Sequence, residues 1–461
     1  MSAASITGRG AGNDVRAIGL ILPIALLLAL GMSYAFYLFP PNGVIVLAGT
    51  LGLAGTVALA LLRYELAVAL GFLLMGVVRS EPAPPDAIFA VVIAIAVVTG
   101  RFSLQRVPLV VFSLLGTFVV LNFLSAVEAV STGAAGRFML ITLYLAVFGV
   151  WLTSFVDSVD RARLIVRPYI GGAVFWALLT SLALYLPVPG REHLVDYDGT
   201  RGYGLFEDPN VYGPFLIPAA LIVAEEMLTP RLLRSKSSAK LVMFCILATG
   251  VILSYSRAGS ISLIVAMVVL LATLTMRRGG GRRAVALLAV MVVGGGAVGG
   301  VLAISGSVGF LQQRSSLQTY DTDRFGAQEQ GIRLAEQQPF GIGPGQFDVL
   351  VEISTHSTYI RVLAEQGILG FVVILGLLLT TLILAGRNAV LGRDTYGIGS
   401  AALLAAWVAL LINSSVVDTL HWRHLFFVAA LIWAGSRRPT EELDQVGAPG
   451  SPLTSAGRLA R

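Results

Sequence analysis

The chain has 461 residues, 56% of them hydrophobic and only 13% charged, with a formal net charge of +6 and a mean hydropathy of +0.83. A soluble domain carries about a quarter charged residues, so the composition excludes a soluble globular protein and points to a polytopic membrane protein. The positive charge follows membrane topology and is no nucleic-acid signature.

The apolar runs are continuous rather than alternating, which excludes a β-barrel and predicts an all-α bundle. In chain order the expected spans are about 17–38, 43–62, 65–78, 87–100, 107–126, 138–156, 164–187, 211–227, 240–255, 258–276, 284–304, 361–386, 398–417 and 422–436. That makes fourteen, or twelve if some of the short runs at 65–78, 87–100 and 422–436 do not cross. Residues 1–16 form a polar tail without a signal-peptide pattern, so the first run is expected to be retained as a span. Residues 437–461 are rich in Pro, Gly, Ser and Ala and charged, and are expected to be disordered. Gly294–Gly296 with Gly299 and Gly300 lies within a span and suits close helix packing. Cys245 is the sole cysteine, so there is no intramolecular disulfide and no cysteine metal site.

Placing the N-terminus in the cytoplasm puts 22 of the 32 basic residues inside. That bias satisfies the positive-inside rule and makes both termini cytoplasmic. The polar loops 188–210 and 305–360 then lie on the outer face, and Arg257, between two spans, faces outward too. The cytoplasmic loops are short, and the chain has neither a Walker A sequence nor a dinucleotide fingerprint. Chemistry on the outer face would need a donor that arrives already activated in the membrane.

Four clusters on that face carry candidate residues. The first runs from Arg201 through Asp208, Pro209 and Asn210, where Asp208 or Asn210 can cap a helix opened by Pro209. Arg201 runs against the charge bias of its side of the membrane. The second is Tyr255-Ser256-Arg257, where the guanidinium either snorkels to headgroups or grips an anion beside hydroxyl groups. The third holds Asp321 and Asp323, a spacing too common by chance to argue for a metal, followed by Arg324, which either pairs with those carboxylates or faces an anion. A glycine-rich turn from Pro339 to Phe347 follows and is expected to shape the loop. The fourth is His356 at the mouth of a span, with Arg361 and Glu365 spaced i, i+4 for pairing on one helix face. An imidazole has the right acidity to take a proton from a hydroxyl near neutral pH.

Arg201 with Pro209-Asn210, Ser256-Arg257-Ala258-Gly259, Arg324, the Pro339–Phe347 turn and His356-Ser357 through Glu365-Gln366-Gly367 to Gly370 occur in this order. Together they resemble the O-antigen ligase / O-antigen polymerase superfamily of bacterial envelope glycan transferases, over about residues 200–370. The resemblance implies a transmembrane glycosyltransferase domain over 17–436, all-helical, with about 12–14 spans and a large outer loop between late spans. It implies transfer of a glycan from an undecaprenyl-diphosphate or similar polyprenyl-diphosphate carrier to an acceptor hydroxyl, on the outer face of the bacterial cytoplasmic membrane, with no metal and no cofactor. Arg201, Arg257 and Arg324 match the diphosphate-binding arginines, and His356 matches the base or acceptor-positioning histidine. Asn210, Tyr255, Arg361 and Glu365 complete the expected substrate-binding set. The implied partners are the lipid-linked donor, a glycan or lipid-glycan acceptor, membrane lipids and other envelope polysaccharide assembly proteins; nucleic acid is not among them. A transporter or flippase of lipid-linked glycans would use similar arginines, but would be expected to show pseudo-repeated halves and polar residues deep within the spans, and neither is found.

Overall fold

A computed structural model describes residues 43–79, 83–277, 280–306, 308–309, 312 and 319–436. The expected span 17–38 and the two tails, 1–16 and 437–461, lie outside the described residues. Every other expected span is a helix. In order these are α1 (Gly43–Leu62), α2 (Tyr64–Leu73), α3 (Pro84–Val98), α4 (Leu109–Ser125), α5 (Thr132–Phe155), α6 (Val159–Tyr185), α7 (Pro209–Leu228), α8 (Ser237–Leu253), α9 (Arg257–Met276) and α10 (Gly280–Ile304). Then come α11 (Thr319–Gln337), α12 (Phe347–Leu350), α13 (Thr358–Val390), α14 (Ser400–Val416) and α15 (Arg423–Gly435). Among the described residues, β structure is limited to isolated bridges. The protein is therefore an all-α polytopic membrane protein. Among the described residues, seven helices are long and apolar enough to cross a bilayer by length and composition, and the other apolar helices are shorter.

The starts of the helices follow from local chemistry. Ser131, Ser158, Asp208, Ser256 and Ser357 each accept a backbone N–H of the first turn through the side chain, supplying an acceptor that a helix end in or near a membrane otherwise lacks. Pro84 and Pro209 occupy first positions, where the missing N–H costs nothing. α7 is the central helix: 83% of its apolar window is buried, and it packs on α6, α8, α9 and α14. The expected span at 65–78 is cut short because the chain leaves the helix after Leu73 to pair Val77 and Val78 with Leu205.

Two polar ends cap this bundle. At one, Glu225 and Glu226 of α7 are buried among cations. Lys240 lies 3.2 Å from Glu226, Arg231 bridges Glu225 and Asp394, and Arg277 donates to the Ala389 carbonyl and the Ser400 hydroxyl. At the other end α7, α9, α13 and α15 begin while α6, α8, α10 and α14 finish. The candidate residues collect at this second end.

The expected outer loop 305–360 carries structure of its own. It contains α11, a polar helix of 19 residues, and then the glycine-rich turn, which docks onto a break in α13. Gly367 has φ +69° and ψ −172° inside that helix. The freed backbone groups are satisfied by the turn: Ile342 donates to the Ala364 carbonyl, Gly343 to that of Glu365, and Ile368 to that of Pro339. Non-helical backbone at such a depth is tolerated only with partners of this kind. A Cβ on Gly367 would sit 2.2 Å from the Pro339 carbonyl oxygen, and one on Gly341 (φ +92°) would sit 2.3 Å from that of Glu365. The close approach of two backbones explains both glycines.

Candidate functional site

The loop preceding α7 is bonded to the α8–α9 junction. Gly202 donates to the Leu253 carbonyl at 3.0 Å, and Arg201 Nε donates to the Ser254 carbonyl at 3.1 Å. A second Arg201 nitrogen donates to Asn210 Oδ1 at 3.4 Å. Asn210 stands in the first turn of α7, where its N–H is taken by the cap Asp208 at 2.8 Å. Thr200 and Arg201 both donate their backbone N–H to Asp196 Oδ1, which fixes the loop that carries the guanidinium. Arg257 opens α9 one residue after the cap Ser256, and Tyr255, buried beside it, has φ +48°. Arg201 and Asn210 are thus bonded to the junction that carries Tyr255 and Arg257. Arg201 and Ser254, whose bond makes this link, are 53 positions apart in the chain and meet only through its folding.

His356 sits half-buried just before α13 with φ +46°. A left-handed backbone at a residue that is not glycine costs on the order of 1–3 kcal/mol and persists only where the surroundings enforce it. Burial lowers the His356 pKa below its ordinary value, and the nearby cations Arg324 and Arg361 lower it further, while Asp208 and Asp348 oppose them. The imidazole is therefore within the field of the cap of α7 and of α11, which carries Arg324. Asp323 is exposed; the side chain of Asp321 lies outside the described residues. Among the described residues, no three His, Cys, Asp or Glu side chains gather as a metal site would require.

Arg361 and Glu365 stand on the same face of α13, 4.0 Å apart. Arg361 is a junction: it reaches Asp348 at 2.5 Å, Asp418 at 3.1 Å and the Ser354 hydroxyl at 3.0 Å. Glu365 is fully buried and accepts the N–H groups of Gly345 (2.8 Å) and Phe347 (3.1 Å). Both residues hold the glycine-rich turn and its flanks against α13. Gln346, also buried, exchanges two hydrogen bonds with the backbone of Ser131 at the start of α5. Sequence reasoning passed over Gln346, Asp348 and Asp418. The signal available for Asp418 was a carboxylate between two apolar runs; Gln346 offered none.

Residues 242–375 match the family model described as O-antigen ligase. This segment is similar to the O-antigen ligase family. It extends from α8 into α13 and includes Tyr255, Arg257, Arg324, His356, Arg361 and Glu365; Arg201 and Asn210 precede it. No curated protein matches the chain. The likeness supports glycan transfer in envelope polysaccharide assembly, a glycosyltransferase-type activity.

Proposed function

We propose that the protein transfers or polymerises a glycan from a polyprenyl-diphosphate carrier onto an acceptor hydroxyl, on the outer face of the bacterial cytoplasmic membrane, without metal or nucleotide. The observation that carries this reading is the frame joining Arg201 and Asn210 to the Ser254–Arg257 junction, with His356 in the field of Arg324 and Asp208 at the same end of the bundle. Arg257, with Arg201 and Arg324, takes the diphosphate oxygens. Guanidinium groups suit such oxygens because their N–H donors form a planar fork. As the bond from the anomeric carbon to the diphosphate breaks, its electron pair leaves on the diphosphate, where the arginines stabilise it. His356 accepts the proton of the acceptor hydroxyl, whose oxygen forms the new glycosidic bond. Asn210 and Tyr255 line the donor side, and Arg361 and Glu365 keep the turn in place. The opposite end of the bundle, with Arg231, Lys240 and Arg277, is the cytoplasmic one in this reading, and both termini lie on its side.

The test is purified protein in vesicles with a polyprenyl-diphosphate glycan, candidate acceptors and EDTA, with products resolved by mass. Transfer that persists in EDTA is expected. Loss of transfer on chelation, with recovery on adding Mg²⁺ or Mn²⁺, would overturn the metal-free mechanism.

A further inference from the structure

Among the described residues, two strained residues that are not glycine stand one position before the caps of helices in the candidate site, and each is held by the same local device. Tyr255 lies between Ser254 and the cap Ser256, and His356 between Thr355 and the cap Ser357. In the first, Ser254 Oγ accepts the N–H of Ser256 at 3.2 Å, and Ser256 Oγ accepts that of Gly259. In the second, Thr355 Oγ1 accepts the N–H of Ser357 at 3.3 Å and donates to its carbonyl at 3.1 Å, and Ser357 Oγ accepts the N–H of Ile360. The hydroxyl of the first residue closes a turn over the middle one, whose backbone is thereby driven into the left-handed region. Thr355 and Ser254 are both fully buried, so water does not compete for these bonds.

We infer that Thr355 is the positioning residue of His356: its hydroxyl holds the histidine backbone in the left-handed turn that aims the imidazole into the site. The inference rests on the role proposed for His356 and goes beyond it. Without the turn the histidine relaxes to an ordinary backbone conformation and swings toward solvent, away from Arg324 on α11, Asp208 at the cap of α7, Asp348 on α12 and Arg361 on α13.

The experiment compares wild type, Thr355→Val, Thr355→Ser and His356→Ala in vesicles. Thr355→Val keeps the volume and removes the hydroxyl. Its turnover is expected to fall by at least about fivefold and by no more than the roughly 10²–10⁴-fold that a base contributes in full, with the donor KM little changed. The acid limb of its pH–rate profile should move up toward the ordinary histidine value of about 6.5, because a more exposed imidazole protonates more readily. Thr355→Ser restores the hydroxyl and should restore both rate and profile. Modification of His356 by diethyl pyrocarbonate against pH, read by peptide mass, reports the same shift without using activity. A valine variant with wild-type turnover and profile, beside an inactive His356→Ala, would overturn the role of Thr355 and leave that of His356 standing. A serine variant as impaired as the valine one would assign Thr355 to packing. A fully active His356→Ala would remove both.

Discussion

Arg257→Lys is expected to lose most of its activity while reaching the membrane in normal amounts. The charge survives the substitution, so a residue that only anchors α9 to headgroups would tolerate it. What is lost is the planar fork that meets two phosphate oxygens at once. A hydrogen bond to a charged group contributes about 1.5–3 kcal/mol, and its loss from the transition state slows turnover by roughly 10–150-fold. Arg257 stands at the first position of α9, directly after its cap. The measurement is transfer rate at matched protein in vesicles; full activity of the lysine variant would make Arg257 a snorkelling anchor.

His356→Ala should cut turnover by about 10²–10⁴-fold and leave donor binding largely intact. A residue acting only in the transition state lowers turnover and turnover/KM together, whereas a binding residue raises KM. The pH dependence has a definite sign. A base works in its neutral form and fails as pH falls through its pKa. Burial and the cations Arg324 and Arg361 lower the His356 pKa, so the wild-type acid limb should lie below the ordinary value of about 6.5. The limb should vanish in the alanine variant, leaving a small and flatter rate. An unchanged limb would assign the titration to another group and reduce His356 to holding the acceptor or the fold.

The spans were legible because about twenty apolar residues in a row admit few other readings. The ends of the helices were less so, since they depend on what the chain meets after leaving the membrane. α2 stops at Leu73 because Val77 and Val78 pair with Leu205, a partner far away in the chain. α11 was hidden by its polarity: without an apolar stripe its periodicity carries little signal. The break at Gly367 was equally invisible, because nothing near Gly367 announces that Pro339 will supply an acceptor to Ile368. Spacing alone suggested that Arg361 and Glu365 pair with each other. They do approach, at 4.0 Å, but the stronger partners of Glu365 are amides of a turn about twenty residues earlier. The candidate residues were legible as types and order; their frame, through Ser254 and Thr355, was not.

The break at Gly367 also sets a height. An unbroken α13 of 33 residues would be about 50 Å long, against a hydrocarbon core of about 30 Å. Such a mismatch would have to be relieved by tilting or by distorting the bilayer. Divided at Gly367, the helix offers about 34 Å from Ile368 to Val390 to the lipid and keeps a step of nine residues above it. Glu365, Arg361 and the turn brace that step within the protein. The level of His356 over the bilayer is then fixed by covalent geometry and packing rather than by the thickness of the surrounding lipid. A thinner or thicker membrane would be accommodated elsewhere along the bundle, and in the proposed reaction the donor would meet the same groups at the same depth.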